Sequence, residues 1–75
     1  MDEVSIFIGK IAEILEVNSE ELSLETDFRN DTPYWDSLKG FGMLVLLEED
    51  YGLKMPVDEF LECKTLADIY NKLPR

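Results

Sequence analysis

Apolar residues return at helical spacing three times along this chain, and nowhere do they alternate in the two-residue rhythm of a half-buried strand. Val4, Phe7, Ile8, Ile11, Ile14 and Leu15 form the first stripe and predict an amphipathic helix over about residues 2–16, with Ile6 off the stripe and exposed. A second helix is expected from Leu38 to Tyr51, stopped by Gly52, which enters the left-handed region without steric penalty. Leu66, Ile69, Tyr70 and Leu73 mark a last helix, opened by Thr65 and Asp68 as a capping box and ended by Pro74. Asn18 and Glu21 have the same capping-box spacing and start a short turn able to bury Leu22. After Pro56, Asp58 to Cys63 has room for one or two helical turns. The expected fold is all-α: a small bundle of three main helices and a short one, joined by a long first loop. With 75 residues the chain makes one domain, 1–75, and a chain of that size buries only about 60–65% of its unfolded surface.

The loop, residues 23–36, carries no period but many turn formers: Ser23, Thr26, Asn30, Asp31, Thr32 and Pro33. Loops this long in compact domains are usually functional. Leu24, Phe28, Tyr34 and Trp35 are expected to pin it to the helices. It runs into Trp35-Asp36-Ser37-Leu38, where polar loop gives way to helix. That places the Ser37 hydroxyl at a helix N-terminus, where backbone N–H groups and the helix dipole favour a phosphate. The chain has no histidine, so a Ser-His hydrolase site cannot be built from it. A functional Ser37 is expected to be modified by another protein rather than to act as a nucleophile itself; no catalytic residue is expected, and the chain is not expected to be an enzyme. Asp36 can cap the helix or position Ser37, and the two roles are compatible.

At 100° per residue the second helix carries two apolar stripes. Met43, Leu44, Leu47 and Tyr51 form the natural core face. Leu38, Phe41 and Val45 lie on roughly the opposite side, flanked by Glu48 and Glu49. Either the loop folds over this second stripe and buries it, or the stripe is a small docking strip with an acidic rim beside Ser37. On the same wheel Gly40 faces the core and Gly42 the second stripe; a glycine at position 40 would leave space at the mouth of the core for a guest chain.

Seventeen acidic residues against seven basic ones give a formal charge of −10, which argues against nucleic acid and anionic membranes and for partners with basic patches. The other reading of that charge is simple solubility. The one cysteine, Cys63, excludes an internal disulfide and a multi-cysteine metal site, fits a reducing compartment and is expected as a small buried hydrophobe. The acids of Asp27-Phe28-Arg29-Asn30-Asp31 miss the spacing and central glycine of a calcium loop, so no metal site is expected. The chain shows no signal-peptide core and no apolar run of membrane-spanning length, so a cytoplasmic monomer without membrane insertion is expected.

These residues resemble the acyl carrier protein family over essentially the whole chain. Asp36-Ser37-Leu38 opens the second helix, Leu47-Glu48-Glu49-Asp50-Tyr51-Gly52 closes it, and Met55-Pro56 and Thr65-Leu66 follow in order. The resemblance implies a four-helix bundle and a 4′-phosphopantetheine arm, taken from coenzyme A, on Ser37, with Asp36 beside it. The thiol of that arm would carry acyl groups as thioesters between the enzymes of a fatty-acid- or polyketide-like pathway. Implied partners are a phosphopantetheinyl transferase and chain-modifying enzymes with basic patches, docking on Leu38, Phe41, Val45, Glu48 and Glu49. Lys39, Gly42 and Val57 replace acids usual in fatty-acid carriers, and Thr32-Pro33-Tyr34-Trp35 replaces small residues, which suggests a dedicated, pathway-specific member. An aminoacyl or peptidyl carrier stays open, although the Gly-Gly approach to the serine is absent. So does an unmodified acidic interaction module on the same fold.

Overall fold

The computed structural model describes residues 2–74. It contains four α-helices: α1 Glu3–Leu15, α2 Ser37–Tyr51, α3 Val57–Glu62 and α4 Leu66–Tyr70, with a single 3₁₀ turn, Ser19–Glu21, after α1. No strand occurs among the described residues; an isolated antiparallel bridge joins Asp27 to Thr65. The all-α reading holds.

Side-chain caps start α1, α2 and α4, those of α2 and α4 where the sequence placed them, while α3 opens after Pro56 without one. Asp2 accepts the Ser5 N–H at 2.8 Å to open α1, and Asp36 accepts the Lys39 N–H at 2.9 Å to open α2, satisfying one of the orphan donors of the first turn. At the head of α4, Thr65 Oγ1 accepts the Asp68 N–H at 3.3 Å while the Asp68 carboxylate accepts the Thr65 N–H at 3.1 Å. The Glu21 carboxylate likewise takes the Asn18 N–H at 3.1 Å. Gly52 ends α2 at φ 68°, with its N–H on the Glu48 carbonyl and that of Leu53 on Leu47. The last helix stops earlier than expected. Beyond Tyr70 the bonds from Lys72 to Ile69 and from Leu73 to Tyr70 are of the tighter three-residue kind. Pro74 bars the residue before it from ordinary helix geometry, yet Leu73 still reaches the core.

That core draws on every helix: Phe7, Ile11 and Leu15 from α1, Met43 and Leu47 from α2, Phe60 from α3, and Leu66 and Ile69 from α4. Leu22 and Cys63 are buried in it as expected, and burial pushes the Cys63 thiol up from its ordinary pKa. Ile6 is exposed, as the wheel required.

The long loop divides in two. Its first part is tied down: the Asp27 carboxylate accepts from Arg29 N, Asn30 N and Asn30 Nδ2 at 2.9–3.0 Å. Thr32 is buried, its hydroxyl donating to the Phe28 carbonyl at 2.7 Å. The N–H groups of Leu66 and Ala67 reach back to the carbonyls of Thr26 and Leu24, and Phe28 is wholly buried. The second part departs from expectation. Tyr34 does not pin the loop; it is 88% exposed at a left-handed φ of 59°. Of the two aromatics only Trp35 packs against the core, since a chain turned through the left-handed region at residue 34 throws one aromatic outward and the next inward.

Candidate functional site

Ser37 is the first residue of α2 and is exposed. Asp36 before it is extended, φ −148° and ψ 173°, and its carboxylate is engaged by the Lys39 N–H. The cap therefore fixes where the helix begins and leaves the serine hydroxyl facing solvent, among backbone N–H groups that have no helical carbonyl to donate to. That is the environment an attached phosphodiester needs: a free hydroxyl, no covering side chain and a favourable dipole worth about 0.3–1 kcal/mol at an exposed site.

An apolar groove of about 440 Å³ runs from Ser37 between α2 and α3. Gly40, Phe41 and Leu44 line its α2 side, Val57, Phe60 and Leu61 its α3 side, and Trp35 with Arg29 its head. Phe41, Val57 and Leu61 are each more than 60% exposed. The loop does not cover the second stripe of α2: Leu38 is 77% exposed and Val45 stands at 36%. The stripe does divide, however. Phe41 and Val45 border a hollow with Leu44, Glu48, Met55 and Pro56. Leu38 lies round the helix, in a hollow shared with Ile14 of α1, Lys39 and Gly42. Glu48 and Glu49 are exposed along the helix, Glu48 at 4.0 Å from the Lys54 ammonium.

Arg29 holds this region together. Its guanidinium donates to the Phe60 carbonyl at 2.7 Å and to that of Cys63, closing the C-terminal end of α3. It also lies 4.8 Å from the Phe28 ring centre and 5.2 Å from that of Phe60. The sequence reading passed over Arg29; nothing in its polar surroundings distinguished it from a surface charge. It also missed Leu61, although Val57 and Leu61, four apart on a short helix, share one face.

The two glycines of α2 are resolved by their neighbours. A Cβ on Gly40 would meet Trp35 at 3.2 Å and Phe60 at 3.4 Å, so the space at the mouth of the core is filled by the indole. Gly42 lies beside the Leu38 end of the second stripe and lines the same hollow. A Cβ there would meet Ile14 at 3.2 Å, because the end of α1 crosses close to the first turns of α2. Lys39, in place of an acid, is not presented outward: its ammonium lies 3.8 Å from Glu16 and 3.4 Å from the Pro33 carbonyl, with the side chain 13% exposed.

Residues 5–73 match the family model described as "Phosphopantetheine attachment site". The chain belongs to the acyl carrier protein family. An acyl carrier protein of Treponema denticola is 37% identical over 60 residues, 80% of this chain and 76% of the relative. Acyl carrier proteins from two Treponema pallidum strains are each 32% identical over 71 residues, 93% of this chain and 90% of theirs. No solved structure matches the chain at a significant level. Phosphopantetheine is thus the group this acyl carrier protein takes, and the family carries intermediates rather than transforming them. No group of three or more metal-ligating side chains occurs among the described residues, and no described helix is long and apolar enough to cross a membrane.

Proposed function

We propose that Ser37 is the attachment residue, and that the protein is a single carrier domain serving a dedicated fatty-acid- or polyketide-like pathway in the cytoplasm. The observation that carries this is an exposed serine on the first residue of α2, at the mouth of an apolar groove and inside the matched span. In the loading step, performed in trans by a transferase, Ser37 Oγ adds to the phosphorus that bears the pantetheine arm of coenzyme A. The bond to adenosine 3′,5′-bisphosphate breaks, and the hydroxyl proton leaves to the transferase or solvent. The attached arm supplies a thiol that holds acyl groups as thioesters.

The chain's own residues supply the rest. Asp36 keeps the helix start in register so that Ser37 faces the transferase. Leu38, Phe41 and Val45 offer an exposed apolar strip, and Glu48 and Glu49 rim it with negative charge. An apolar centre with acidic edges suits brief encounters with basic partners, fast at low salt and slower as screening rises. Docking raises the local concentration of the arm at the partner's active site, so the carrier needs no catalytic group.

The test is intact-protein mass after incubation with coenzyme A and a broad-specificity phosphopantetheinyl transferase, run beside Ser37→Ala. One phosphopantetheine increment on the wild type alone is expected, with both proteins melting together. An increment on Ser37→Ala would move the site. No increment on folded wild type, with a transferase of its own host included, would leave an unmodified interaction module.

A further inference from the structure

We propose that Trp35 sets the length of cargo this carrier shields, by walling the α2–α3 groove off from the core; the proposal rests on Ser37 bearing the arm. The observation is a continuous aromatic wall. The indole of Trp35 occupies the space that Gly40 leaves, so that any side chain at position 40 would press on it at 3.2–3.4 Å. Its ring centre is 5.7 Å from that of Phe28, and Phe28 is 5.5 Å from Phe60. Phe28 and Phe60 are buried at 0% and 4% exposure. The Arg29 guanidinium, tied to the end of α3, lies against both rings and holds them in place. A cargo that the arm delivers into this groove and that turns inward therefore meets packed rings rather than a passage.

The way left open runs outward, between Phe41 and the pair Val57 and Leu61, all more than 60% exposed. A trough with such walls covers the thioester and the first methylenes of a cargo and leaves a longer tail in water. The indole is also the least buried part of the wall. It is only partly buried, and residue 34 before it is exposed at a left-handed φ of 59°. Removing it joins the groove to the void over Gly40, against Phe28 and Phe60, and gives a longer chain a buried path. Trp35 thus acts as a specificity-determining residue, and Gly40 as the position that lets it sit.

The experiment compares the wild type, Trp35→Ala and Trp35→Phe, each loaded from acyl-coenzyme A with saturated chains from acetyl to dodecanoyl. Loading is checked by intact mass, and the rate at which neutral hydroxylamine cleaves the thioester is measured. In the wild type, protection should rise over the short chains and then level off. In Trp35→Ala it should keep rising, each newly buried methylene slowing cleavage by up to about fourfold. Trp35→Phe keeps an aromatic contact with Phe28 and should level off at an intermediate length. The phenylalanine variant carries the test if the alanine variant does not fold. Because Trp35 is the single tryptophan, its emission in the loaded wild type should respond to short chains and change no further with longer ones. Protection that rises to dodecanoyl in the wild type, or profiles that coincide in folded variants, would overturn the assignment. Failure of the wild type to take any phosphopantetheine would instead strike the carrier reading, and this inference with it.

Discussion

Met43 and Leu47 on one side of α2 are fully buried, whereas Leu38 and Phe41 on the other are 77% and 64% exposed. The residue types barely differ between the two sides; the neighbours do. The inner side meets α1 and the loop-anchored aromatics, so its apolar area is removed from water and stabilises the fold. The outer side meets the short α3, itself apolar outward at Val57 and Leu61, and at Leu38 the end of α1, and neither covers it. A helix face left bare within the chain is available for something outside it.

The comparison predicts effects of very different size. Leu47→Ala should cost about 2–5 kcal/mol, the range for opening a cavity in a packed core, measured by denaturant unfolding. A loss under about 1 kcal/mol would mean the inner side is not the core it looks like. Arg29→Ala should cost about 1.5–3 kcal/mol, since it leaves the Phe60 and Cys63 carbonyls at the end of α3 without their charged donor. Its unfolding should be preceded by loss of the groove, seen as a red shift in Trp35 emission. Phe41→Ala should change stability by no more than about 0.5 kcal/mol, as for other exposed positions. It should nonetheless slow transferase loading, and an unchanged loading rate would remove Phe41 from the docking strip.

The smallest effect falls on the aspartates of the loop and the helix caps, which lie outside both faces of α2. Hydrogen bonds from Asn30 hold the Asp27 carboxyl below its ordinary pKa. Backbone N–H groups of Lys64 and Thr65 do the same for Asp68, and that of Ser5 for Asp2. A lowered folded-state pKa means stability that is present above the ordinary aspartate range and lost as pH falls through the folded value. Opposing this, protonating a chain of charge −10 relieves repulsion. Melting temperature should therefore rise slightly from neutral pH towards about pH 4–5 and fall below it. Asp27→Asn should soften the fall, and an equally steep decline in that variant would clear Asp27 of the role.

The helices were readable because each announces itself locally. Thr65 and Asp68, Asn18 and Glu21, and Gly52 are short-range signals, and the stripes need only a period. Ser37 was readable for the same reason, as a hydroxyl on the first residue of a capped helix. The errors lie where one element meets another. Tyr34 and Trp35 are adjacent aromatics with opposite fates, because the backbone turns left-handed between them. Gly42 sits beside Leu38 of the outer stripe, as the wheel places it, yet it also packs against Ile14, since the crossing of α1 over α2 is not encoded in α2. Lys39 read as a change of surface charge and is instead a tether to Glu16 and Pro33.

The sequence by itself determined the helical class, the order of the helices, the serine at the head of α2 and the acidic, histidine-free composition. All of these follow from contacts within about four residues or from composition alone. Only the tertiary structure decided that the outer stripe stays bare, that Arg29 closes α3, and that Trp35 rests on Gly40 at the head of the groove. Those depend on side chains brought together from distant parts of the chain, and no local period records which surfaces such an encounter will leave open.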